Sequence, residues 1–478
     1  MSISRRSLFI IIRALGLFCF IFLVFISCNS GAFHGKLIVS QVSGEIKDMN
    51  MISGESWRYV PLARIIMADP DKPGRIKILT GDFYSACFPD ISYDGRQMIF
   101  TAQQKQDDPW QIWIMDLKSL KSRKITSFTE NCTDPVFLPG ERFVFSKLTT
   151  NDTIKTGHPL FVCNLDGSAL RQVTFHPGAC FATNVLKDGR LLTVSRQLLP
   201  DRRDPVLMVL RPDGTKADMF CRPDDGKNVI GRTRETSDNR ILFVEADNEE
   251  FSGDIVSIEY NRPLHTRINL TSEIDGSFNA VLPVHNGKLL VSYRQSDSEP
   301  YAIYEFDTVN KSLGRLVYEN PEYNVLDVVS AGKYYRPKKL PSEVDMHVKT
   351  GLLLCQDINV LDFRSAINNK VITRASMIEV LGIDSTYGTV PVEDDGSFYL
   401  KVLSDKPFQI RSLDKEGRVL HGPCSWLWLR PNERRGCVGC HEDPELVPLN
   451  RIPDAVKKQP VIIPVHITEI KEKSVELE

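Results

Sequence analysis

Six turn dipeptides, each followed by an apolar burst, recur along this 478-residue sequence at nearly constant spacing. Asp94-Gly95 precedes Met98-Ile99-Phe100, and Pro139-Gly140 precedes Phe143-Val144-Phe145. Asp188-Gly189 precedes Leu191-Leu192-Thr193-Val194, and Asp238-Asn239 precedes Ile241-Leu242-Phe243-Val244. Asn286-Gly287 precedes Leu289-Leu290-Val291, and Ala331-Gly332 precedes Tyr334-Tyr335. Turn positions 95, 140, 189, 239, 287 and 332 lie 45, 49, 50, 48 and 45 residues apart. A second pair of runs completes each unit, as where Leu160–Asn164 leads into Leu170–Thr174. Four short strands per unit of about 45 to 50 residues is the pattern of a β-propeller blade. Asp-Gly turns between apolar runs fit tight hairpins.

The sixth unit keeps two strands, near 325–336, and its missing pair stands at the other end of the chain as Ala63–Asp69 and Arg75–Thr80. Closing the ring this way leaves no free sheet edge. The expectation is an all-β chain with a six-bladed β-propeller over 29–340; a seventh blade would have to come from 29–60. The pattern resembles propellers of the TolB type. His158, His176, His265 and His285 fall at strand ends or turns without metal-ligand spacing, and read as exposed or locally satisfied loop residues.

Pro337–Pro341 punctuates the end of the repeat. Residues 345–430 read as a small antiparallel β-sandwich. Its candidate strands are Lys349–Cys355 and Met377–Leu381, with hairpins over 390–402, turning at Asp395-Gly396, and over 408–420. A short C-terminal haem-binding segment follows over 431–478, carrying Cys437-Val438-Gly439-Cys440-His441. In a Cys-x-x-Cys-His sequence two thiols add across the two vinyl groups of a haem, and the adjacent His lies under the iron. The expectation is one haem c, attached at Cys437 and Cys440, with His441 as proximal ligand. Zinc would want further ligands nearby, and a redox dithiol would want a βαβ setting. A plain disulfide is the third competitor.

The far side of the iron is open to several groups. His466 lies 25 residues after His441. His421, His347, Met346 and Met377 are alternatives, as is water or an open position. Trp426 and Trp428 precede the motif as core residues or as packing for the porphyrin.

The first residues read as a leader. Arg5 and Arg6 precede an apolar run from Leu8 to Ser27, interrupted by Arg13. The unbroken part is shorter than the roughly 20 residues of a membrane span, which favours an export signal over 1–28. Phe25-Ile26-Ser27-Cys28 resembles a bacterial lipobox, so Cys28 is the expected site of a lipid anchor. That places the chain in the periplasm or on the outer cell surface. The net charge of -2, with no basic stripe, argues against a nucleic-acid partner. The seven remaining Cys outside the leader read as small buried hydrophobes rather than assigned pairs.

Propeller, β domain with Val392-Glu393-Asp394-Asp395-Gly396-Ser397-Phe398, then Trp428-Leu429-Arg430-Pro431-Asn432-Glu433-Arg434-Arg435-Gly436-Cys437 resembles the hydrazine synthase alpha subunit family over nearly all of 30–445. The resemblance implies two c-type haems in the family enzyme, one in the middle domain and an electron-transfer haem in a C-terminal domain. Only one Cys-x-x-Cys-His occurs here, and by position it matches the C-terminal type. The absence of a second thiol pair argues against hydrazine synthesis itself. Three functions follow: a monohaem electron-transfer lipoprotein whose propeller docks a redox partner protein; an oxidoreductase acting on small nitrogen or oxygen species; or a binding propeller with a structural haem.

Overall fold

The computed structural model describes residues 35–44, 58–72, 74–247, 250–284, 287–360, 373–439 and 450–464. Six four-stranded antiparallel sheets form the blades of a propeller. Their inner strands are Ser85–Ile91, Cys132–Leu138, Gly178–Val185, Lys227–Glu235, Ser277–Pro283 and Tyr323–Ser330. Each touches the next, and the last touches the first, so the ring closes.

The closure differs from the expected pairing of two strands with two. The sixth blade takes only its inner strand, Tyr323–Ser330, from the end of the repeat. The other three, Leu37–Ser43, Ala63–Ala68 and Ile76–Ile78, come from the N-terminal side. Leu37–Ser43 pairs with Tyr323–Ser330 on one edge and Ala63–Ala68 on the other, and is buried at every position but the last. It escapes the repeat pattern because no turn dipeptide announces it. Tyr334 and Tyr335 are not a strand. They start the linker, where the Tyr334 hydroxyl donates to the Ile91 carbonyl and its ring lies 5.2 Å from that of Tyr93.

Charged side chains of both signs are buried where the inner strands converge. Arg234 Nη2 reaches Asp327 Oδ1 at 3.1 Å, linking the fourth and sixth blades. Arg58, next to the closing strands, pairs with Asp134 of the second blade, whose Oδ2 also accepts the Ala182 N–H at 2.9 Å. Unpaired, each of these buried charges would be strongly destabilising. Cys87, Cys132, Cys163, Cys180 and Cys221 are buried and unbridged within the blades.

The linker runs across the hairpin turns of the blades toward the second domain. Gly189 has φ +92°, and a Cβ there would sit 2.1 Å from the Lys338 carbonyl oxygen, so this turn needs glycine on both counts.

The second domain is a sandwich of two four-stranded sheets. One has the order Arg434–Cys437, Thr350–Cys355, Phe398–Leu403, Val461–Ile463. The other has the order Thr386–Pro391, Met377–Leu381, Gln409–Leu413, Val419–His421. Leu353, Leu400, Ile378, Val380 and Ile410 fill the space between them. The hairpin expected over 390–402 is not one. Its two arms lie in different sheets, so the Asp395-Gly396 turn crosses the sandwich. A sequence pattern marks a turn but not which sheet receives each arm. The arms expected at 408–420 do pair, as Gln409–Leu413 with Val419–His421.

The C-terminal segment is part of this sandwich. Arg434–Cys437 and Val461–Ile463 are its two outer strands, each parallel to its neighbour.

Candidate functional site

The approach to the cysteine motif is fastened to the third blade, residue by residue. Trp428 is buried, its Nε1 donates to the Gly214 carbonyl at 3.3 Å, and its ring stacks on His176 at 5.3 Å between centroids. Trp426 Nε1 donates to the Leu199 carbonyl at 2.6 Å. Arg430 Nε donates to the Asp213 carbonyl at 2.9 Å, while its Nη1 meets Asp405 of the sandwich at 2.6 Å. Arg203 Nη2 of the blade returns a bond to the Pro423 carbonyl at 3.0 Å. Two aromatic anchors and a shared arginine therefore hold the two domains in one orientation.

Beyond these anchors the chain enters the strand Arg434–Cys437. The register carries on past it, with Gln356 N donating to the Cys437 carbonyl at 2.9 Å and Asp357 N to the Val438 carbonyl at 3.0 Å. Gly439 packs so closely that a Cβ would lie 2.4 Å from the Val360 carbonyl oxygen. The first half of the motif is thus built into sheet edge rather than hanging from it. Cys440 and His441 lie outside the described residues, as do His466 and Cys28.

A cavity of about 850 Å³ opens at this seam, within the usual range for small-molecule and cofactor sites. The third blade supplies His176, Met208, Met219 and the 202–206 loop. The sandwich supplies Leu353, Cys355, Phe398, Trp426, Trp428, Cys437 and Gly439. Lys216, Arg202, Arg203, Arg222, Arg434 and Arg435 lie in the lining against Asp204, Asp218, Asp224 and Asp225. That is an excess of two cationic groups. An apolar interior, a cationic excess and a cysteine of the attachment motif fit a haem, which is an apolar disc with two carboxylates.

The side chains named as alternative distal ligands separate in space. Met346 and His347 are exposed on the linker, Met377 is half-buried, and His421 lies on an edge strand of the other sheet. None of the four lines the cavity. The strand leading toward His466, Val461–Ile463, is at the opposite edge of the sheet from Arg434–Cys437. Three strand spacings make that separation about 14 Å. Ile463 also pairs with Val402, and Val402 with Gly351, whereas Cys437 pairs with Cys355, so the chain leaves from the other end of the sheet.

Among the described residues, His176 is the imidazole that lines the cavity. It was expected to be an exposed or satisfied loop residue, and it is buried with only one of its ring nitrogens partnered. It is 5% exposed, its Nε2 lies 3.1 Å from Ser195 Oγ, and its Nδ1 has no hydrogen-bond partner among the described residues. Burial pushes its pKa down to about 4, so the ring is neutral near pH 7. No sequence spacing linked His176 to a motif 261 residues later. The run Arg434-Arg435 beside Cys437 was visible, but its role needed the cavity.

An all-β protein with a six-bladed propeller, a β-sandwich and a cavity at their seam is the class defined by this fold and site. Residues 362–442 match the family described as the hydrazine synthase alpha subunit middle domain. The chain is 21% identical to hydrazine synthase subunit alpha of Kuenenia stuttgartiensis, over 80% of this chain and 63% of that one. The solved structure of Kuenenia stuttgartiensis hydrazine synthase matches with a TM-score of 0.75 at 18% identity, covering 88% of this chain and 71% of its own. TolB from Acinetobacter baumannii matches with a TM-score of 0.45 at 15% identity, over 62% of this chain and 68% of its own. The chain resembles the hydrazine synthase alpha subunit family in sequence and in fold.

The motif was matched by position to the C-terminal haem type of the family, in a tail too short for a domain of its own. Cys437 to His441 lie inside the stretch that matches the middle domain. The strand Arg434–Cys437 agrees, since it belongs to the sandwich and not to a separate unit.

Proposed function

We propose that this chain is an exported c-type haem protein whose haem lies in the cavity between the third blade and the sandwich. Its centre is of the middle-domain kind and acts on small nitrogen or oxygen species. The observation that supports this reading is the shared wall: Cys437 and Gly439 line the same cavity as the aromatic and cationic groups of both domains. When bound, the haem supplies an iron that changes oxidation state and takes small ligands.

The chain's own residues have separable roles in this proposal. Cys437 and Cys440 would hold the haem as thioethers, and His441 would supply a ligand to its iron. Arg202, Arg203, Arg222 and Arg434, all in the cavity lining, would be the partners of its propionates. Trp426 and Trp428 exclude water from the seam, and the leader ending at Cys28 exports and anchors the chain. The relative's full activity is not carried over. This chain spans 63% of that relative and holds one such motif.

The test is the pigment and spectrum of the purified exported protein. Denatured protein should keep its colour and show the added mass of one haem, and carbon monoxide should bind the reduced form. Zinc without haem, in protein matured by a competent host, would overturn the reading. A second reading, pure electron transfer to a redox partner, is favoured by His176 in the cavity wall. A low-spin spectrum indifferent to carbon monoxide would select it.

A further inference from the structure

The first cysteine of the motif sits directly opposite another cysteine. Thr350–Cys355 and Arg434–Cys437 run parallel, and their register pairs Leu353 with Arg435, Leu354 with Gly436 and Cys355 with Cys437. Paired residues of a ladder point to the same face, with backbones about 4.8 Å apart. Cα atoms of disulfide-bonded cysteines are about 4.4–6.8 Å apart. Both residues line the cavity, Cys355 buried and Cys437 half-buried. Cys424 lines the cavity too, but from the segment that follows the strand Val419–His421. Its Sγ accepts the Ile410 N–H at 3.2 Å and donates to the Ser425 carbonyl at 3.1 Å.

We propose that Cys355 and Cys437 form a reversible disulfide in protein that has not received haem, making Cys355 a redox lock on the attachment site. This rests on the reading of Cys437 as an attachment thiol in an exported chain, a compartment where disulfides persist. The oxidant is a protein disulfide of a thiol–disulfide oxidoreductase. The Cys437 thiolate attacks one of its sulfurs and releases the other as a thiolate. The Cys355 thiolate then attacks the Cys437 sulfur, and the oxidant leaves as a dithiol carrying the two electrons and two protons. Thioether formation needs a Cys437 S–H to add across a vinyl group, and the disulfide has none. A dithiol reductant must therefore return two electrons and two protons before haem can be attached. The register that sets the two cysteines opposite each other belongs to the sheet, which makes the lock a property of the sheet.

The test uses the full chain, exported in a host without haem-attachment machinery. Free thiols are alkylated in denaturant, the protein is digested without reductant, and the peptides are mapped by mass. The expected product is a peptide pair joined through Cys355 and Cys437 that separates on adding dithiothreitol. In a competent host, Cys355→Ser should load haem several-fold faster than wild type under oxidising conditions and equally under reducing ones, with Cys355→Ala behaving alike. Cys355 recovered mainly as an alkylated thiol, or Cys437 joined to Cys440 or Cys424, would overturn the lock. If the Cys355–Cys437 pair is found while neither wild type nor Cys355→Ser takes up haem under reducing conditions, the haem reading fails and the disulfide stands.

Discussion

Glu433 Oε1 accepts the backbone N–H of Lys216 at 2.8 Å, and its Oε2 accepts the backbone N–H of Arg430 at 2.8 Å. One carboxylate, 2% exposed, thereby holds a turn of the third blade and the turn that delivers the motif strand. Glu433→Ala removes the acceptor of the Lys216 and Arg430 N–H groups and of the Arg435 guanidinium, and each buried donor left unsatisfied costs about 1–3 kcal/mol. The expected outcome is a lower melting temperature by calorimetry and faster proteolysis between the domains. Glu433→Gln, which keeps one acceptor, should recover part of the loss. An unchanged melt for Glu433→Ala would mean that the seam does not depend on this residue.

A chain beginning at Gly81 lacks Leu37–Ser43, Ala63–Ala68 and Ile76–Ile78, and leaves Tyr323–Ser330 with an open edge. Buried apolar side chains contribute about 1.5–3 kcal/mol each, and the lost strands bury several, among them Leu37, Ile38, Val39, Ile65 and Ile66. The shortened protein should aggregate or melt far below the longer one. Solubility and heat stability equal to those of the longer protein would show that the ring does not need these strands.

Gly439→Ala places a methyl group 2.4 Å from the Val360 carbonyl oxygen, so the motif cannot seat as it does. Haem loading, read from the reduced absorption band per protein, should fall by roughly tenfold, about 1.4 kcal/mol in seating equilibrium. The propeller's melting transition should stay in place, because the change lies at the sheet edge of the other domain. Full loading of the variant would separate haem attachment from the packing of Gly439.

His158 provides the pH dependence. It is 1% exposed, its Nε2 lies 2.9 Å from Tyr59 Oη, and burial pushes its pKa down to about 3. In the unfolded chain a histidine titrates near 6.5. Between those values the unfolded chain binds more protons than the native one. The contribution is therefore complete above about pH 6.5 and is lost as pH falls toward about 3. His158→Gln should flatten the acid limb of stability against pH by on the order of a few kcal/mol, read from urea melts between pH 7 and pH 4. A limb of unchanged slope would place the acid sensitivity elsewhere.

The number of blades, the all-β class and the motif were legible in the sequence because each is a local pattern. A blade repeats because its hairpin turns and apolar strands repeat, and Gly95, Gly140 and Gly189 mark their turns directly. Leu37–Ser43 was not legible as a closing strand. A fully buried second strand needs no alternation, and its partners at 323–330 and 63–68 are chosen by ring closure. The same limit applies to the site. Spacing alone singles out Cys437, but Cys355, His176 and Glu433 acquire their places from neighbours 82, 252 and 217 residues away, namely Cys437, Trp428 and Lys216. Sequence by itself determined what repeats and singled out the cysteine motif, since both depend on residues close along the chain. Only the tertiary structure decided which walls meet at the cavity, because packing a sandwich against one blade is settled by shape and buried hydrogen bonds between segments that carry no shared pattern.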